Sequence, residues 1–252
     1  MLDSTYDEVF EFEATHWWYV GRRAIIKKNM EFIISKTMNA QGLQKRTILD
    51  FGCGTGFMTN ILEQFGKVKG FDSSPKSIEL SRKRGIKNTF LCTDLKKLSQ
   101  SEEAFDVVTL FDVLEHVQEE EELLNCLRNL TKINGYIFVT VPAYQWLWSG
   151  EDYVSKHLRR YTKTGLIKVL EKSNFKVERA TYFNFWLLPF QIFTILSYRI
   201  FRKKKLKKSN IRIHSKLLNR ILTFIFRSEA FFLRLFRFPA GGSILCIAKP
   251  RN

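Results

Sequence analysis

Cysteine is scarce in this sequence, and what there is lies scattered. Cys53, Cys92, Cys126 and Cys246 are the four cysteines of a 252-residue chain, and no two of them form a CxxC pair. That spacing excludes a disulfide-framework scaffold and a cysteine-type zinc site, and it fits a reducing compartment. The N-terminus, MLDSTYDEVFEFE, is acidic and lacks an apolar run, so it does not read as a secretory signal. GxGxxG, the P-loop pattern and HExxH are all missing. Acidic residues are almost missing from one stretch. Between Arg199 and Arg237 stand thirteen Lys/Arg and one acid, Glu229, whereas the rest of the chain holds 28 basic and 24 acidic residues. Most of the net charge of +16 therefore sits in that segment.

What is present describes a folded chain. Hydrophobic residues make up 45% and charged residues 26%, enough for a sizeable core, and wholesale disorder is excluded. The length permits one elaborated domain or two small ones. Phenylalanine follows the charge: 11 of the 23 lie between Phe183 and Phe238. A segment both basic and aromatic points to an anionic, greasy surface before it points to nucleic acid.

Residues 1–44 read as a helical arm. From Thr47 the pattern changes to short apolar runs alternating with amphipathic stretches. Strands are expected at Thr47–Phe51, Lys67–Phe71, Thr89–Cys92, Phe105–Phe111 and Tyr136–Val141, and helices near Gly56–Gln64, after Ser74-Pro75, and at Glu119–Leu130. A Trp/Tyr-rich loop and a helix over Thr162–Lys172 follow, then strands at Phe175–Tyr182 and Ser243–Lys249. This β-α alternation argues for an α/β fold with a mostly parallel sheet, covered by helices on both faces. Residues 45–183 and 242–252 would form the main domain. Residues 184–241 are too long for a hairpin loop and would form a basic, aromatic helical insertion.

The candidate ligand-binding residues lie at the carboxyl ends of successive strands. Leu49-Asp50-Phe51-Gly52-Cys53-Gly54-Thr55-Gly56 is a Gly-rich strand-to-helix turn. Position 57 is Phe, so the spacing is GxGxG and the pyrophosphate reading weakens. Asp72 ends the second strand, where a carboxylate can accept hydrogen bonds from both ribose hydroxyls, and Ser73 follows it. Asp94 and Leu95 follow the third strand, with Asp94 placed to meet an adenine amino group. Phe111-Asp112-Val113-Leu114-Glu115-His116 leaves the fourth.

This series resembles the class I S-adenosylmethionine-dependent methyltransferases, in their small-molecule branch. The resemblance spans roughly residues 45–182 plus the last strand. It implies a Rossmann-like seven-stranded sheet with an antiparallel last strand, and S-adenosylmethionine as cofactor. Asp50, Gly52 and Gly54 would meet its methionyl end, Asp72 the ribose and Asp94 the adenine, with Cys53, Gly56, Ser73, Leu95, Phe111 and Asp112 as further cofactor-binding residues. The turns of amino-methylating and cytosine-C5 enzymes are missing after the fourth strand, where FDVLEH stands instead.

Two further stretches, Glu13–Arg23 and His157-Leu158-Arg159-Arg160-Tyr161, are similar to paired signatures in bacterial methyltransferases of surface-polysaccharide and lipid-linked sugar clusters. In that reading the arm folds over the pocket, Trp18 or Tyr19 covers the cofactor, and Arg22 or Arg23 meets its carboxylate. The alternative is a core Trp pair and a solvated Arg pair. His157 is the candidate base, with Arg159, Arg160 and Tyr161 as an anion clamp for the substrate, against a capped turn with surface arginines. His116 is the second catalytic candidate, though it reads more readily as structural. No metal is expected.

In the insertion, Lys216, Arg220, Thr223, Arg227, Ala230, Arg234 and Arg237 form one narrow stripe of a helix, opposite a wide Phe/Leu face. Phe183–Phe201 is a marginal candidate for spanning a membrane, and an in-plane helix fits better. With the Arg202–Lys208 cluster, the segment suits an anionic membrane surface; an ordinary helical subdomain or a homodimer interface is the alternative. The expected function is methyl transfer to a hydroxyl, less readily an amine, of a small or lipid-linked acceptor such as a polyprenyl-linked sugar. The expected setting is the cytoplasmic side of the inner membrane. Nucleic acid is not the expected partner. Modification of RNA or protein, and a non-catalytic membrane-docking module, remain open.

Overall fold

The computed structural model describes residues 3–37, 46–100, 103–201 and 215–251. The chain opens with helices α1 (Asp3–Phe12) and α2 (Trp17–Lys36). Strand β1 (Thr47–Phe51), helix α3 (Phe57–Leu62), β2 (Lys67–Asp72), α4 (Pro75–Lys83), β3 (Thr89–Leu91) and α5 (Leu95–Ser99) follow. Next come β4 (Phe105–Phe111), α6 (Glu120–Leu130), β5 (Thr131–Pro142), α7 (Gly150–Ser155), α8 (Lys163–Lys172) and β6 (Phe175–Phe183). Helices α9 (Leu188–Phe201) and α10 (Lys216–Leu235) precede the last strand, β7 (Ser243–Pro250).

The seven strands form one sheet in the order β3-β2-β1-β4-β5-β7-β6. All neighbouring pairs are parallel except those made by β7, which runs antiparallel to both β5 and β6. The order reverses between β1 and β4, and a sheet of this kind leaves its crevice at the carboxyl ends of those strands. Ile48, Leu49, Val107, Val108, Leu110, Phe138, Val139 and Ile247 are fully buried, which is why these strands read as apolar runs.

Three local differences from the sequence reading have physical causes. Strand β5 begins at Thr131 rather than Tyr136, because the ladder resumes across an irregularity between Phe105 and Val107. Helix α5 was not expected; Asp94 caps it, accepting from the backbone N–H of Lys96 and Lys97. Helix α7 stands inside the Trp/Tyr-rich loop, where Ser149 and Asp152 form a capping box.

The arm is bound to the sheet domain at both ends. Asn219 of α10 accepts from Trp17 N–H at 2.8 Å and donates to the Thr15 carbonyl at 2.9 Å. One turn on, Gly21 lies under Phe226: a Cβ there would sit 2.3 Å from the ring, so only glycine lets α2 and α10 approach this closely. Glu13 pairs with Arg84 at 2.5 Å and with the Thr55 hydroxyl, which ties the end of α1 to the turn after β1. Among the described residues no helix is long and apolar enough to cross a membrane. The cluster at 202–208 lies outside the described residues.

Candidate active site

The carboxyl ends of β1, β2 and β4 open into a cavity of about 1130 Å³. Asp50, Gly52, Cys53, Gly54, Asp72, Ser73, Leu95, Phe111 and Asp112 line it, as do Trp18, Tyr19, Arg22 and Arg23 from the arm. The far wall comes from the segment before β7: Leu187, Phe190, Gln191, Thr194 and Ile195 on one side, Leu218 and Leu222 on the other. Small-molecule pockets usually measure roughly 300–1,000 Å³, so this cavity is at the large end of that range.

The turn after β1 is shaped by its glycines. Gly52, Gly54 and Gly56 all have positive φ, at 75°, 55° and 78°. A Cβ on Gly52 would sit 2.3 Å from Val113, whereas a Cβ on Gly54 would meet nothing within 4 Å, because Gly54 faces open cavity. Gly56 does not line the cavity; it packs against Ser81. Asp50 is buried beneath the turn, accepting from the hydroxyls of Thr59 at 2.7 Å and Thr109 at 2.9 Å, and burial pushes its pKa up. Asp72 accepts from Gly54 N–H and Ser74 N–H, both at 2.9 Å, which fixes its carboxylate at the cavity edge. Cys53 is buried, and burial pushes its thiol up, so it is no nucleophile. Asp94 is exposed and stands outside the lining, its Oδ1 engaged in capping α5.

The arm contributes rings and cations, but the arginines are already partnered. Arg22 is buried, 2.5 Å from Asp112 and 4.9 Å over the Trp18 ring. It holds Asp112 in a left-handed conformation (φ 58°) that is strained for a non-glycine residue. Arg23 donates to the carbonyls of Glu13 and Ala14 and lies 4.4 Å over Phe57. Both arginines line the cavity, and Arg22 Nε is buried without a hydrogen-bond partner among the described residues. Trp18 and Tyr19 pack edge to face at 5.0 Å on the cavity wall.

The second half of the site depends on a residue that the sequence reading passed over. Asp152 is fully buried in α7 and accepts from Ser149 N–H at 2.7 Å, from Arg160 Nε at 2.7 Å and Nη2 at 2.8 Å, and bonds His157 Nδ1 at 2.8 Å. Burial alone would raise its pKa, but the bonds from His157 and Arg160 hold the carboxyl well below the usual range. A carboxylate only accepts, so His157 Nδ1 donates to it and Nε2 is the ring nitrogen left for another partner. His157 lines the cavity, with the His116 ring 4.7 Å away. Burial and His157 push His116 down to about 3, which leaves it a poor base. The trace of Asp152 in the sequence is Ser149-Gly150-Glu151-Asp152, a capping-box spacing.

The expected anion clamp is bonded within the protein. Arg160 lines the cavity and bonds Asp152 and the Ala143 carbonyl. Arg159 reaches Glu120 at 3.3 Å and the Gln118 carbonyl, and does not line the cavity. Tyr161 is buried with its hydroxyl on the Leu114 carbonyl and Glu120, also off the cavity. Glu115 was missed as well. Its carboxyl is fully buried against the cavity, with neither oxygen hydrogen-bonded among the described residues, and burial and Asp112 push it well above the carboxylate range. Glu115, His116 and His157 bring one ligand atom each within 4.8 Å of one another, the described set that could hold a metal ion.

With this geometry in view, the comparisons with known proteins are direct. The profile of a family described as a methyltransferase domain matches residues 22–180, well over half of the chain. The chain belongs to the class I S-adenosylmethionine-dependent methyltransferases. The methyltransferase is 28% identical over 181 residues to a ubiquinone biosynthesis O-methyltransferase of Actinobacillus pleuropneumoniae serotype 5b (strain L20), covering 64% of this chain and 76% of the relative. It is 30% identical over 173 residues to the Haemophilus ducreyi (strain 35000HP / ATCC 700724) enzyme of the same name, covering 61% and 72%. An S-adenosylmethionine-dependent methyltransferase from Archaeoglobus fulgidus shares the fold at TM-score 0.55 and 19% identity, over 90% of this chain and 94% of that one. So does magnesium protoporphyrin IX methyltransferase from Synechocystis PCC 6803, solved with S-adenosylhomocysteine bound, at TM-score 0.53 and 14% identity, over 93% and 84%. The cofactor of the methyltransferase is S-adenosylmethionine, and the cavity fits it: Gly54 faces open space, and Asp72 is fixed at the edge by two backbone N–H groups.

Proposed function

We propose that this methyltransferase acts on a hydroxyl oxygen of an amphipathic small molecule, with the apolar part of the acceptor lying between α9 and α10. The observation that carries this reading is the Asp152–His157 pair on the wall of a cavity shared by the glycine turn and those two helices. In the cofactor half, Gly54 leaves room for the methionyl end, Asp72 receives the ribose, and Cys92, Thr93 and Leu95 flank the adenine side. When bound, S-adenosylmethionine supplies an electrophilic methyl group on a sulfonium. A neutral hydroxyl is a weak nucleophile, so its proton must leave as the new bond forms. His157 Nε2 takes that proton, and Asp152 holds the ring in the productive tautomer and stabilises the imidazolium. Positioning supplies the rest.

The relatives support an oxygen acceptor with an isoprenoid part, since they are named for O-methylation in ubiquinone biosynthesis. A polyprenyl-linked sugar has no counterpart among them, so a phenolic hydroxyl on a prenylated ring is the leading acceptor class. The far wall of the cavity agrees, being apolar at Leu187, Ile195, Leu218 and Leu222. The test is to incubate the enzyme with methyl-labelled S-adenosylmethionine and a bacterial lysate divided into membrane, RNA and soluble fractions. Label should appear in the organic-solvent extract of the membranes and be lost with His157→Ala. Label in RNA or protein would overturn the acceptor class.

A further inference from the structure

Helix α10 has three faces. Leu222, Phe226, Glu229, Ala230 and Leu233 are buried, with Phe226 seated on Gly21 of α2. Glu229 accepts the backbone N–H groups of Asn184, Phe185 and Trp186 at 2.6, 2.8 and 3.0 Å, which pins α10 to the turn leading into α9. The second face is exposed and apolar: Leu217, Ile221, Phe224, Phe231 and Leu235, with Phe224 at 77% exposure. The third carries Lys216, Arg220, Arg227 and Arg234, all exposed, and no salt bridge reaches them among the described residues. Lys216, Arg220 and Arg234 each precede an exposed apolar residue by one position, about 100° round the helix. The wide Phe/Leu face expected from the sequence is therefore divided, half of it packed inward and half left outside. Helix α9 repeats the outward half with Phe190, Phe193, Leu196 and Ile200, where Phe193 is 69% exposed. Arg199 fixes its far end by donating to the carbonyls of Trp146 and Trp148.

We propose that α9 and α10 seat the protein on an anionic lipid bilayer, their exposed rings and aliphatic side chains in the acyl boundary and their arginines among the headgroups. This surface does not depend on the identity of the methyl acceptor. An apolar ridge flanked by cations is the arrangement of an interfacial helix. RNA would satisfy the arginines but leave Phe193, Phe224, Ile200 and Leu235 in water. A second copy would set cation against cation, because Glu229 is the only acid between Asn184 and Phe238 and it is buried. With 14 residues, α9 is about 21 Å long, short of the roughly 30 Å hydrocarbon core, and neither it nor α10 is long and apolar enough to cross, so the helices lie in the interface plane. Thr194, Ile195, Leu218 and Leu222 of the same two helices form part of the cavity wall.

The experiment is co-sedimentation of the full chain, without acceptor or cofactor, with vesicles of phosphatidylcholine alone and of equal parts phosphatidylcholine and phosphatidylglycerol. Binding should be at least about 10-fold tighter to the anionic vesicles and weaken as salt rises. The double variant Phe193→Ser, Phe224→Ser should lose that binding. The triple variant Arg220→Gln, Arg227→Gln, Arg234→Gln should lose the anionic preference. Both should keep wild-type affinity for S-adenosylmethionine, which shows that they are folded. Failure of the wild type to sediment with anionic vesicles would overturn the proposal, as would undiminished binding by the phenylalanine variant. A wild-type dimer that the phenylalanine variant abolishes would make a second copy the occupant and also overturn it.

Discussion

At the carboxyl ends of β1, β2 and β4 the polar groups are held by the protein: Asp50 by two threonine hydroxyls, Asp72 by two backbone N–H groups, Asp112 by Arg22. Along the outer faces of α9 and α10 the reverse holds, with rings in water and, among the described residues, the arginines of α10 without acids. Yet other residues of those same two helices wall the cavity into which the strand ends open. The difference shows how a site can pair rigidity at the reacting end with an unpartnered surface at the delivering end. Pre-organised groups fix geometry, whereas exposed apolar and cationic groups carry free energy that only an outside partner can realise.

The sharpest way to break the pre-organised half is His157→Ala, which should lower kcat by about 10²–10⁴-fold while leaving the S-adenosylmethionine affinity unchanged. Single-turnover kinetics with a calorimetric titration separate the two. On α10, Phe226→Ala should destabilise the protein by about 3–5 kcal/mol in urea unfolding, because its ring is fully buried against Gly21. Gly52→Ala should cost about 2–3 kcal/mol and weaken cofactor binding, since the new Cβ meets Val113 and the backbone is left-handed.

A pH comparison sharpens the site itself. Because the folded pKa of His116 is depressed to about 3, the stability that this group contributes is present above its unfolded value of 6.5. It is lost as pH falls from there toward 3. Melting scans should show His116→Gln losing less stability than wild type between pH 7.5 and 5, by about 1–2 kcal/mol. The smallest effect belongs to the outer face. Phe224→Ser, only two positions from Phe226, should change stability by less than about 0.5 kcal/mol.

Much of the first half was legible in the sequence. Leu49–Gly56, Asp72 and Phe111–His116 are strand-end turns whose residue types follow from local backbone needs, and local needs leave local patterns. Asp152 was hidden because its role lies in tertiary partners, His157 and Arg160, and only the box with Ser149 marks it. Arg159, Arg160 and Tyr161 carry the right chemistry for a clamp, but their spacing does not say that Glu120, Asp152 and three carbonyls would already bond them. Periodicity found α10 as an amphipathic helix yet could not say which apolar half meets the core. The clue was Gly21, on another helix.

The most direct measurement of the central claim is methyl transfer from labelled S-adenosylmethionine to a prenylated phenol carried in anionic vesicles, compared between wild type and His157→Ala. The wild type should give a labelled methyl ether, and the variant a rate lower by about 10²-fold or more at equal cofactor occupancy. Equal rates from the two proteins, or no ether from a wild type saturated with cofactor, would contradict that claim.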